Sequence, residues 1–482
     1  MLAVNKLKSE SRQFILDGHF CLLNSYEKAE RIPAETFIAL APDGIIVLTE
    51  KPQIIVERRK SRDGVNVSIN SIEEFQNEEV IYATEVTKII SAKLFISRGK
   101  ENQSKAIDFI KSMEVCCLAG KFIRKPFSAI DLNDSFFDSL KVDYPGSSSS
   151  TGFIDWFHKK EVSGDEALVF EDEQGLGAFV CLKNYENEPL ILANGSYLPA
   201  IPRMKVSTIK IDDRYQNQRI GEGAIGLILW KWQESRVEEI YVTVFEKQIS
   251  LLFLLDRFGF VCAGYNQNGE RIYIKNRKSI DYSDPCKSFP FLDPGIQHAG
   301  CLAIDMDYHD TMFAFSDLAR TLQERVDISV ANGLKKVYIG SPRRLAFCKG
   351  DPVLIYRKYT GLEGKPGYKS VVTGYCVVTR IVKIKDNGTP LHSFNEYREM
   401  IGNKSVFNED ELRNKYNDSD NLTIIELVYY GYFGAGNNVN WAWLKNNGCW
   451  QDTHPMSFRY SRMDLEKILR EGNIDVSNVI ID

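Results

Sequence analysis

The sequence predicts a multidomain protein of mixed α/β and α+β class, and three observations support this. The 482 residues exceed one ordinary domain and suggest about three. Strand-like and helix-like segments alternate up to about residue 278, whereas β-branched runs follow. A Pro-rich connector, residues 284–295, marks the clearest boundary. We expect an N-terminal α/β domain (1–114), a mixed sheet flanked by helices (115–278), a linker (279–300) and a small β domain ending in a helix (301–482).

The composition excludes several classes of protein. It is 44% hydrophobic and 26% charged, as in ordinary globular chains. No apolar run approaches the roughly 20 residues of a membrane helix, and the first residues lack the apolar core of a secretory signal. Ten scattered cysteines without a C-x-x-C pair and six dispersed histidines predict neither a metal site nor a disulfide framework. A reducing, cytoplasmic location is therefore expected, with no membrane partner.

Charge is distributed unevenly along the chain. Between Arg320 and Lys385 there are 14 Lys and Arg residues and four acidic ones, a net charge of +10. The whole chain carries −5, so the remainder carries −15. A cationic segment within an acidic chain is a candidate contact surface for a polyanion.

The N-terminal segment alternates between predicted strands and helices. Residues 14–20 and 45–48 are apolar strands, and residues 56–63 form an arginine-rich helix. This pattern resembles the later half of adenylate-kinase-like nucleotide kinases, through Asp17-Gly18 and the Arg-x-x-x-Arg spacing of Arg58 and Arg62. No G-x-x-x-x-G-K-[ST] loop precedes Asp17, so we expect a degenerate scaffold or docking domain, which could bind a protein partner. The alternatives are residual nucleotide binding through Arg58, Arg59 or Arg62, and a solvated basic helix face.

The stretch at residues 205–223 is the most informative part of the chain. An apolar strand, residues 206–211, meets a polar turn and then a helix start bearing Gly221 and Gly223. A first helical turn without side chains presents N–H groups to an anion, and the helix dipole favours negative charge there. A hairpin (166–170 with 177–182) precedes it, and a strand (240–245) and a second helix follow. The pattern predicts a phosphate-binding helix start on a mixed sheet.

These residues resemble the GNAT-type N-acetyltransferase superfamily over roughly 110 residues. The family motif [QR]-x-x-G-x-[GA] is matched by the segment from Gln218 to Gly223. A second register places Gln216, Arg219 and Gly221 at the three key positions and departs at the middle glycine. The resemblance implies acetyl-CoA as cofactor, with its pantetheine arm between two splayed parallel strands near Ile209 and Ile211. Its pyrophosphate would be held by the segment that we call the anion cradle: Gln218, Arg219, Ile220, Gly221, Glu222 and Gly223.

The resemblance leaves the catalytic acid unidentified. Acyl transfer to an amine needs a base or water relay and an N–H donor for the oxyanion. Leu255 stands where the family often has the tyrosine that protonates the leaving thiolate. Each substitute also has a structural explanation, as a packed tyrosine or a solvated acid. The candidate acids are Tyr241, Thr243, Cys262 and Tyr265, and the candidate bases are Asp212, Glu222 and Glu246, of which we favour Glu246, Thr243 and Tyr265.

The C-terminal part resembles the PUA-like barrels, which include the ASCH and EVE groups. The residues that carry this resemblance are the turn Lys349-Gly350-Asp351, the apolar strand after it, and a β-branched run interrupted by Gly374. The resemblance implies a small β-barrel that recognises RNA or modified bases. Cations there would grip phosphates while aromatic rings stack on bases; alternatively, the aromatics are barrel core and the lysines are merely solvated. The candidate nucleic-acid residues are Lys335, Lys336, Arg343, Arg344, Arg357 and Lys358.

Three functions remain open from the sequence. The first is an acetyl-CoA-dependent N-acyltransferase acting on RNA or tRNA, at a nucleobase amine or an aminoacyl group. The second is a protein N-acetyltransferase localised by its basic domain. The third is a non-enzymatic protein that binds acetyl-CoA and nucleic acid. For an enzyme, direct transfer is expected, because no cysteine lies in an evident nucleophile setting.

Overall fold

Residue contacts divide the chain into two compact units. A computed structural model describes residues 15–24, 28–40, 42, 44–64, 66–90, 93–99, 106, 122–146, 152–172, 175–215, 218–313, 332–342, 345–361, 366–434 and 436–481. The first unit comprises residues 1–116 and 122–166, and the second comprises residues 117–121 and 167–482. The boundaries expected at 114 and 279–300 remain predictions.

The first unit is built from short strands and helices. The strands are β1 (Cys21–Leu23), β2 (Ala29–Arg31), β3 (Gly44–Thr49), β4 (Lys93–Arg98) and β5 (Ile123–Pro126). The helices are α1 (Ala34–Leu40), α2 (Pro52–Asp63), α3 (Ile69–Ile90), α4 (Asp138–Asp143) and α5 (Phe153–Val162). Strands β3 and β4 are parallel, and β1 pairs antiparallel with β2. The predicted strand at 45–48 and the arginine-rich helix are confirmed, as β3 and α2.

Two features of this unit correct or refine the sequence predictions. The strand predicted at 14–20 is wrong over its described residues, because residues 15–20 have no regular structure and β1 begins at Cys21. Helix α2 buries no residue, and Arg62 is bonded to its neighbour Asp63. The core lies elsewhere, where α1 and α3 pack on β3 through Phe37, Ile45, Val47, Tyr82 and Val86. The arginines of α2 therefore lie on a solvated helix face.

The second unit begins with a mixed sheet. Its strands are β6 (Glu166–Asp172), β7 (Gly175–Glu186), β8 (Leu190–Ile191), β9 (Tyr197–Leu198), β10 (Arg203–Ile211), β11 (Glu239–Val244), β12 (Val261–Tyr265) and β13 (Arg271–Asn276). Its helices are α6 (Ile220–Ser235) and α7 (Ile249–Arg257). Six of these strands share a sheet in the order β6-β7-β10-β11-β13-β12, and β8 and β9 form a separate hairpin. Within this order only β10 and β11 run parallel.

A second sheet follows along the chain. Its strands are β14 (His298–Asp305), β15 (Lys335–Gly340), β16 (Pro352–Lys358), β17 (Val371–Asp386), β18 (Thr389–Pro390), β19 (Leu422–Tyr432), β20 (Val439–Asn440) and β21 (Tyr460–Ser461). The helices are α8 (Pro285–Ser288), α9 (Met306–Met312), α10 (Pro366–Lys369), α11 (Phe394–Ile401), α12 (Glu409–Asp418), α13 (Trp441–Asn446), α14 (Arg462–Glu471) and α15 (Val476–Val479). The described strands follow the open path β15-β19-β17-β16-β14-β21, so within the described part of the chain no closed barrel forms.

Helix α6 connects the two sheets of this unit. From its sequence this segment is expected to be an amphipathic helix with one solvated face, but residues 222–230 are all buried, so most of the helix is covered on every side. One side packs on β7 and β10, and the Trp230 indole N–H donates to the Tyr430 carbonyl of β19 at 2.7 Å. The helix is therefore part of the core of both sheets.

The predicted connector is also part of this core. Phe289, Phe291 and Leu292 are at most 1% exposed. The buried ammonium of Lys275 on β13 donates to the carbonyls of Phe258, Lys287 and Phe289 at 2.5, 2.7 and 2.6 Å. The connector is thereby bonded to the first sheet. The sequence also predicts a helix over residues 317–330, and these residues lie outside the part of the chain that the structure describes.

Candidate functional site

The parallel strands β10 and β11 pair over only part of their length. Their register runs from Arg203 opposite Glu239 to Val206 opposite Val242. Beyond it, β10 pairs only with β7, and the end of β11 only with β13. Past Val206, β10 and β11 form no ladder with each other within the described residues, so main-chain groups that face across this gap can pair with an extended group. Ile209, Ile211 and Thr243 are all half-buried on these unpaired ends.

The first turn of α6 lies at the end of β10. Arg219 precedes the helix with a left-handed φ of 59°, a conformation that favours glycine, and it occupies the middle-glycine position of the second register. The Gly223 N–H donates to the Arg219 carbonyl, so the N–H groups of residues 220–222 precede the first bond of the helix. A Cβ on Gly221 would lie 3.1 Å from Leu254 and 3.5 Å from Ile211. The absence of a side chain therefore lets Leu254 and Ile211 pack closely against this turn.

Two side chains of the anion cradle are already engaged. The Arg219 guanidinium forms a two-nitrogen ion pair with Glu222 at 2.7 and 3.2 Å, and Nη2 donates to the Lys335 carbonyl at 2.6 Å. Glu222 Oε1 also accepts the Lys335 N–H at 2.5 Å. Burial alone would raise the pKa of the Glu222 carboxyl, but Arg219 and the Lys335 N–H outweigh it and hold that pKa below its ordinary value. Glu222 is thus an ionised structural acid, not a free base.

Gln218 and Arg219 have further polar atoms in the anion cradle. The Gln218 carbonyl accepts from Asn332 at 3.1 Å, and its side-chain amide lies 3.5 Å from the Arg214 carbonyl. Arg219 Nη1 is buried and has no hydrogen-bond partner within the described residues. A buried donor without a partner costs free energy, which an anionic ligand would recover. Ile220 is buried, and Gln216 lies outside the described residues.

The structure brings together two of the three favoured catalytic residues. The Tyr265 hydroxyl donates to Glu246 Oε1 at 2.7 Å, and Arg271 donates to the same oxygen at 2.7 and 3.0 Å. The hydrogen bonds from Tyr265 and then Arg271 lower the pKa of Glu246, and the bond to Glu246 raises that of Tyr265. Thr243 lies on β11 just past the end of its pairing with β10, and among the described residues it forms no hydrogen bond with this pair. At neutral pH the exposed pair consists of a carboxylate and a protonated phenol.

The other candidate acids and bases differ in access. Tyr241 is buried and donates to Glu186, and burial raises its pKa further, so it cannot lose a proton readily. Asp212 is bonded to Arg214 at 3.0 Å. Cys262 is exposed on the edge strand β12. Leu255 is 1% exposed within the core, so it cannot face a substrate.

The predicted nucleic-acid residues are placed in different environments. Lys336 is completely buried, with its ammonium 5.9 Å from the Phe313 ring. Arg357 is bonded through two nitrogens to Asp310, each at 2.7 Å. Lys358 is exposed and pairs with Asp305 at 3.2 Å, and Lys335 is half-buried. Lys336 and Arg357 are therefore occupied inside the fold; Arg343 and Arg344 lie outside the described residues.

The interleaved aromatic residues are also divided between core and surface. Phe347, Tyr356 and Tyr375 are at most 5% exposed, as expected if they pack in the core, whereas Tyr368 is 65% exposed. The surface left for a nucleic acid is thus smaller than the run of charge in the sequence suggests.

Sequence reasoning missed Arg271 and a buried polar network around His309. His309 Nε2 lies 2.7 Å from Thr373 Oγ1, and Nδ1 lies 2.8 Å from Asp310 Oδ1. Burial lowers the pKa of His309 in spite of Asp310. The register of β11 and β13, which places Arg271 opposite Val244, could have identified Arg271. No local signal indicated the His309 network, because Thr373 is 64 residues away.

The described residues contain no helix long and apolar enough to cross a membrane. They also contain no group of three or more His, Cys, Asp or Glu side chains arranged to hold a metal ion.

Comparisons with known proteins give one sequence match and several structural likenesses. A family model described as an AAA domain matches residues 1–76. No curated protein matches the sequence. Among solved structures, ASCH from Zymomonas mobilis is 14% identical over 35% of this chain and 92% of its own, with a TM-score of 0.23.

Acetyltransferase structures give likenesses of the same size. A GNAT family acetyltransferase from Elizabethkingia anophelis with acetyl-CoA bound is 10% identical over 32% of this chain and 98% of its own, with a TM-score of 0.22. Ard1 from Thermoplasma volcanium is 10% identical over 32% of this chain and 97% of its own, with a TM-score of 0.22. Similarity at this level does not establish a shared fold.

Proposed function

We propose that the second unit is an acetyl-CoA-dependent N-acyltransferase. The observation that carries the proposal is the gap between β10 and β11, which opens beside the first turn of α6. An amide-bearing pantetheine arm needs an extended edge of free backbone groups, and a diphosphate needs clustered N–H donors. Strand β10, the turn after it and the start of α6 follow one another along the chain, so they offer both features next to each other.

The residues of the anion cradle fit this cofactor. Gly221 leaves the helix start bare, and the N–H groups of residues 220–222 precede the first helical bond. Arg219 Nη1, which has no hydrogen-bond partner in the described part of the chain, adds a buried donor close by. Acetyl-CoA, when bound, would supply a thioester whose carbonyl carbon an amine can attack. The backbone near Ile209 and Ile211 would hold the arm.

Tyr265 and Glu246 are the proposed proton-transfer residues. As an amine forms its C–N bond, the Glu246 carboxylate would take the amine proton directly or through water. As the C–S bond breaks, the Tyr265 phenol would protonate the departing thiolate. Thr243, at the unpaired end of β11, would contribute to the oxyanion side of the gap.

We propose an amine on RNA, most plausibly tRNA, as the acceptor. The net charge of +10 between Arg320 and Lys385 supports this choice. The structure leaves Lys358 exposed and Lys335 half-buried within that segment. A protein amine is the alternative acceptor, and binding without chemistry is the third possibility; both are outcomes of the following tests.

Calorimetry with acetyl-CoA tests the cofactor assignment. Wild-type protein should bind, and Gly221→Leu should not, because its side chain would fill the first turn and press on Leu254. Gly18→Ala, at a glycine with open space around it, is the control. Unaltered binding by Gly221→Leu would refute the placement of the site.

Transfer of labelled acetyl groups tests the acceptor. Label should appear on tRNA but not on added peptides, and tRNA retention should fall steeply as salt rises, because phosphate contacts release counterions. Labelled peptide with unlabelled tRNA would establish the protein alternative. Cofactor binding without transfer to either acceptor would establish a binding protein.

A further inference from the structure

We propose that Lys335, at the start of β15, binds a phosphate group of the cofactor, so that the second sheet completes the cofactor site of the first. The inference rests on the proposed function and adds a ligand that neither the GNAT-type motif nor the anion cradle contains. It also moves Lys335 from the nucleic-acid surface to the cofactor site.

Two hydrogen bonds join the backbone of Lys335 to the anion cradle. Its N–H donates to Glu222 Oε1 at 2.5 Å, and its carbonyl accepts from Arg219 Nη2 at 2.6 Å. Both partners belong to the cap and first turn of α6, the turn whose free N–H groups favour an anion. The backbone of Lys335 is therefore in direct contact with the proposed phosphate site.

Close packing holds the backbone of Lys335 in this position. A Cβ on Gly333 would overlap the Arg219 guanidinium, so the chain passes as near to Arg219 as a backbone can. Leu334 is completely buried, and its side chain leaves no room for a Cβ on Gly226 of α6. Lys335 also enters the β15–β19 ladder, opposite Val428. A ligand would thus meet a residue whose backbone is already ordered.

The Lys335 ammonium is available for an anion. Within the described residues, no carboxylate forms an ion pair with it. The charge of Lys335 acts on the neighbouring Glu222 carboxylate, but Arg219 forms the ion pair with that carboxylate, and Glu426 pairs with Lys404 at 3.8 Å. Lys335 is half-buried, so its four-carbon stem can pack on protein while the ammonium reaches solvent.

The position favours a cofactor phosphate over a nucleic acid. Nearby Arg219 Nη1 is a second donor without a partner in the described chain, and it belongs to the anion cradle, not to an exposed surface of the kind that a polymer backbone contacts. Coenzyme A offers two compact anions, its diphosphate and its ribose 3′-phosphate. The structure identifies the shared chemistry, and the experiment separates the two sources.

Calorimetry with two ligands tests the inference. Lys335→Gln should weaken acetyl-CoA binding about tenfold, the loss expected for one charge-assisted hydrogen bond. Lys349→Gln removes an exposed lysine of the same sheet region and should bind as wild type. With acetyl-dephospho-CoA, which lacks the 3′-phosphate, an unchanged ratio of mutant to wild-type Kd identifies the diphosphate; a ratio near one identifies the 3′-phosphate.

Other outcomes contradict the proposal in distinguishable ways. If Lys335→Gln binds acetyl-CoA as tightly as wild type while tRNA retention falls, Lys335 belongs to a nucleic-acid surface and the inference is wrong. If wild-type protein binds no acetyl-CoA, the proposed function itself fails. We expect Lys335→Gln and wild-type protein to have the same melting temperature, because the backbone bonds of residue 335 to Arg219 and Glu222 do not depend on its side chain. Matching melting temperatures would exclude misfolding of the variant.

Discussion

Arg219 and Glu222 form a buried ion pair that also holds the backbone of Lys335. Their side chains are 8% and 6% exposed, so neither charge can be left to water if the other is removed. We assign them a positioning role, whereas the N–H groups of the same turn are left for the ligand.

Removing one member of this pair should be costly. Arg219→Ala would leave Glu222 ionised and buried without a partner, and we expect a loss of about 3–5 kcal/mol in the free energy of unfolding, measured in urea. The matched control is the exposed pair of Arg398 and Glu409, at 3.3 Å. Arg398→Ala should cost at most about 1 kcal/mol. Equal losses of unfolding free energy in both variants would show that the buried pair stabilises the protein no more than an exposed pair.

His309 should make stability depend on pH. Burial holds the pKa of His309 below its ordinary 6.5, against the opposing effect of Asp310 and with Arg357 beyond. As pH falls below 6.5, the unfolded chain binds a proton at this histidine and the folded chain does not. The free energy of unfolding therefore decreases as pH falls from 6.5 to the lower pKa of the folded protein. In His309→Gln this part of the loss between pH 7.5 and 5.5 should disappear from urea unfolding curves. An unchanged pH slope would contradict it.

At the scale of elements, α6 has two tasks that conflict in an exposed helix. Its first turn must stay open to a ligand, whereas its remaining turns are buried on both sides. Glycine suits the first task, since Gly221 adds no side chain, and it also suits the second, since Gly226 admits Leu334. The same helix therefore forms the site and joins the sheets.

Truncating Trp230 should break this junction. Trp230→Ala removes a 5% exposed indole that contacts Phe289 and Tyr429, and it leaves the Tyr430 carbonyl without its donor. Core truncations of this size cost about 3–5 kcal/mol. Phe253→Ala, at a 69% exposed aromatic on α7, should be nearly neutral. If Trp230→Ala loses little unfolding free energy in chemical denaturation, the packing of the two sheets does not depend on this contact.

The proposed proton-transfer pair joins Tyr265 on β12 to Glu246, which lies just after β11. Tyr265→Phe removes the hydroxyl but keeps the ring, and we expect kcat to fall about 100-fold with KM for acetyl-CoA nearly unchanged. Tyr185→Phe, at an exposed tyrosine on β7, should not change the rate. Equal kinetics for both variants would leave the acid elsewhere, for example at Cys262.

At the scale of the molecule, residues 167–482 form a single compact unit despite the Pro-rich connector. The connector is buried, and α6 contributes to the core of both sheets. Lys275 on β13 donates to three carbonyls, two of them in the connector, and so bonds the connector to the first sheet.

A fragment ending at residue 278 should therefore not fold by itself. It would expose the α6 face that carries Trp230 and leave Lys275 without two acceptors. We expect weak near-ultraviolet circular dichroism and dye binding typical of exposed apolar surface. The matched control is residues 167–482, which should unfold in one cooperative transition. A fragment with a sharp transition of its own would support the domain boundary expected from the sequence.

The sequence by itself determined the element types and the position of the helix start, because apolar periodicity and glycine placement act locally. Strands β10 and β11, helices α6 and α7, and the turn into β16 all lie close to their predicted positions. Tertiary structure decided which side chains remain available. Arg219 is engaged by a carbonyl 116 residues away, Lys336 is buried, and Arg357 is held by Asp310. Contacts between residues so far apart along the chain form only when the sheets pack, so no local pattern could have separated the free cations from the occupied ones.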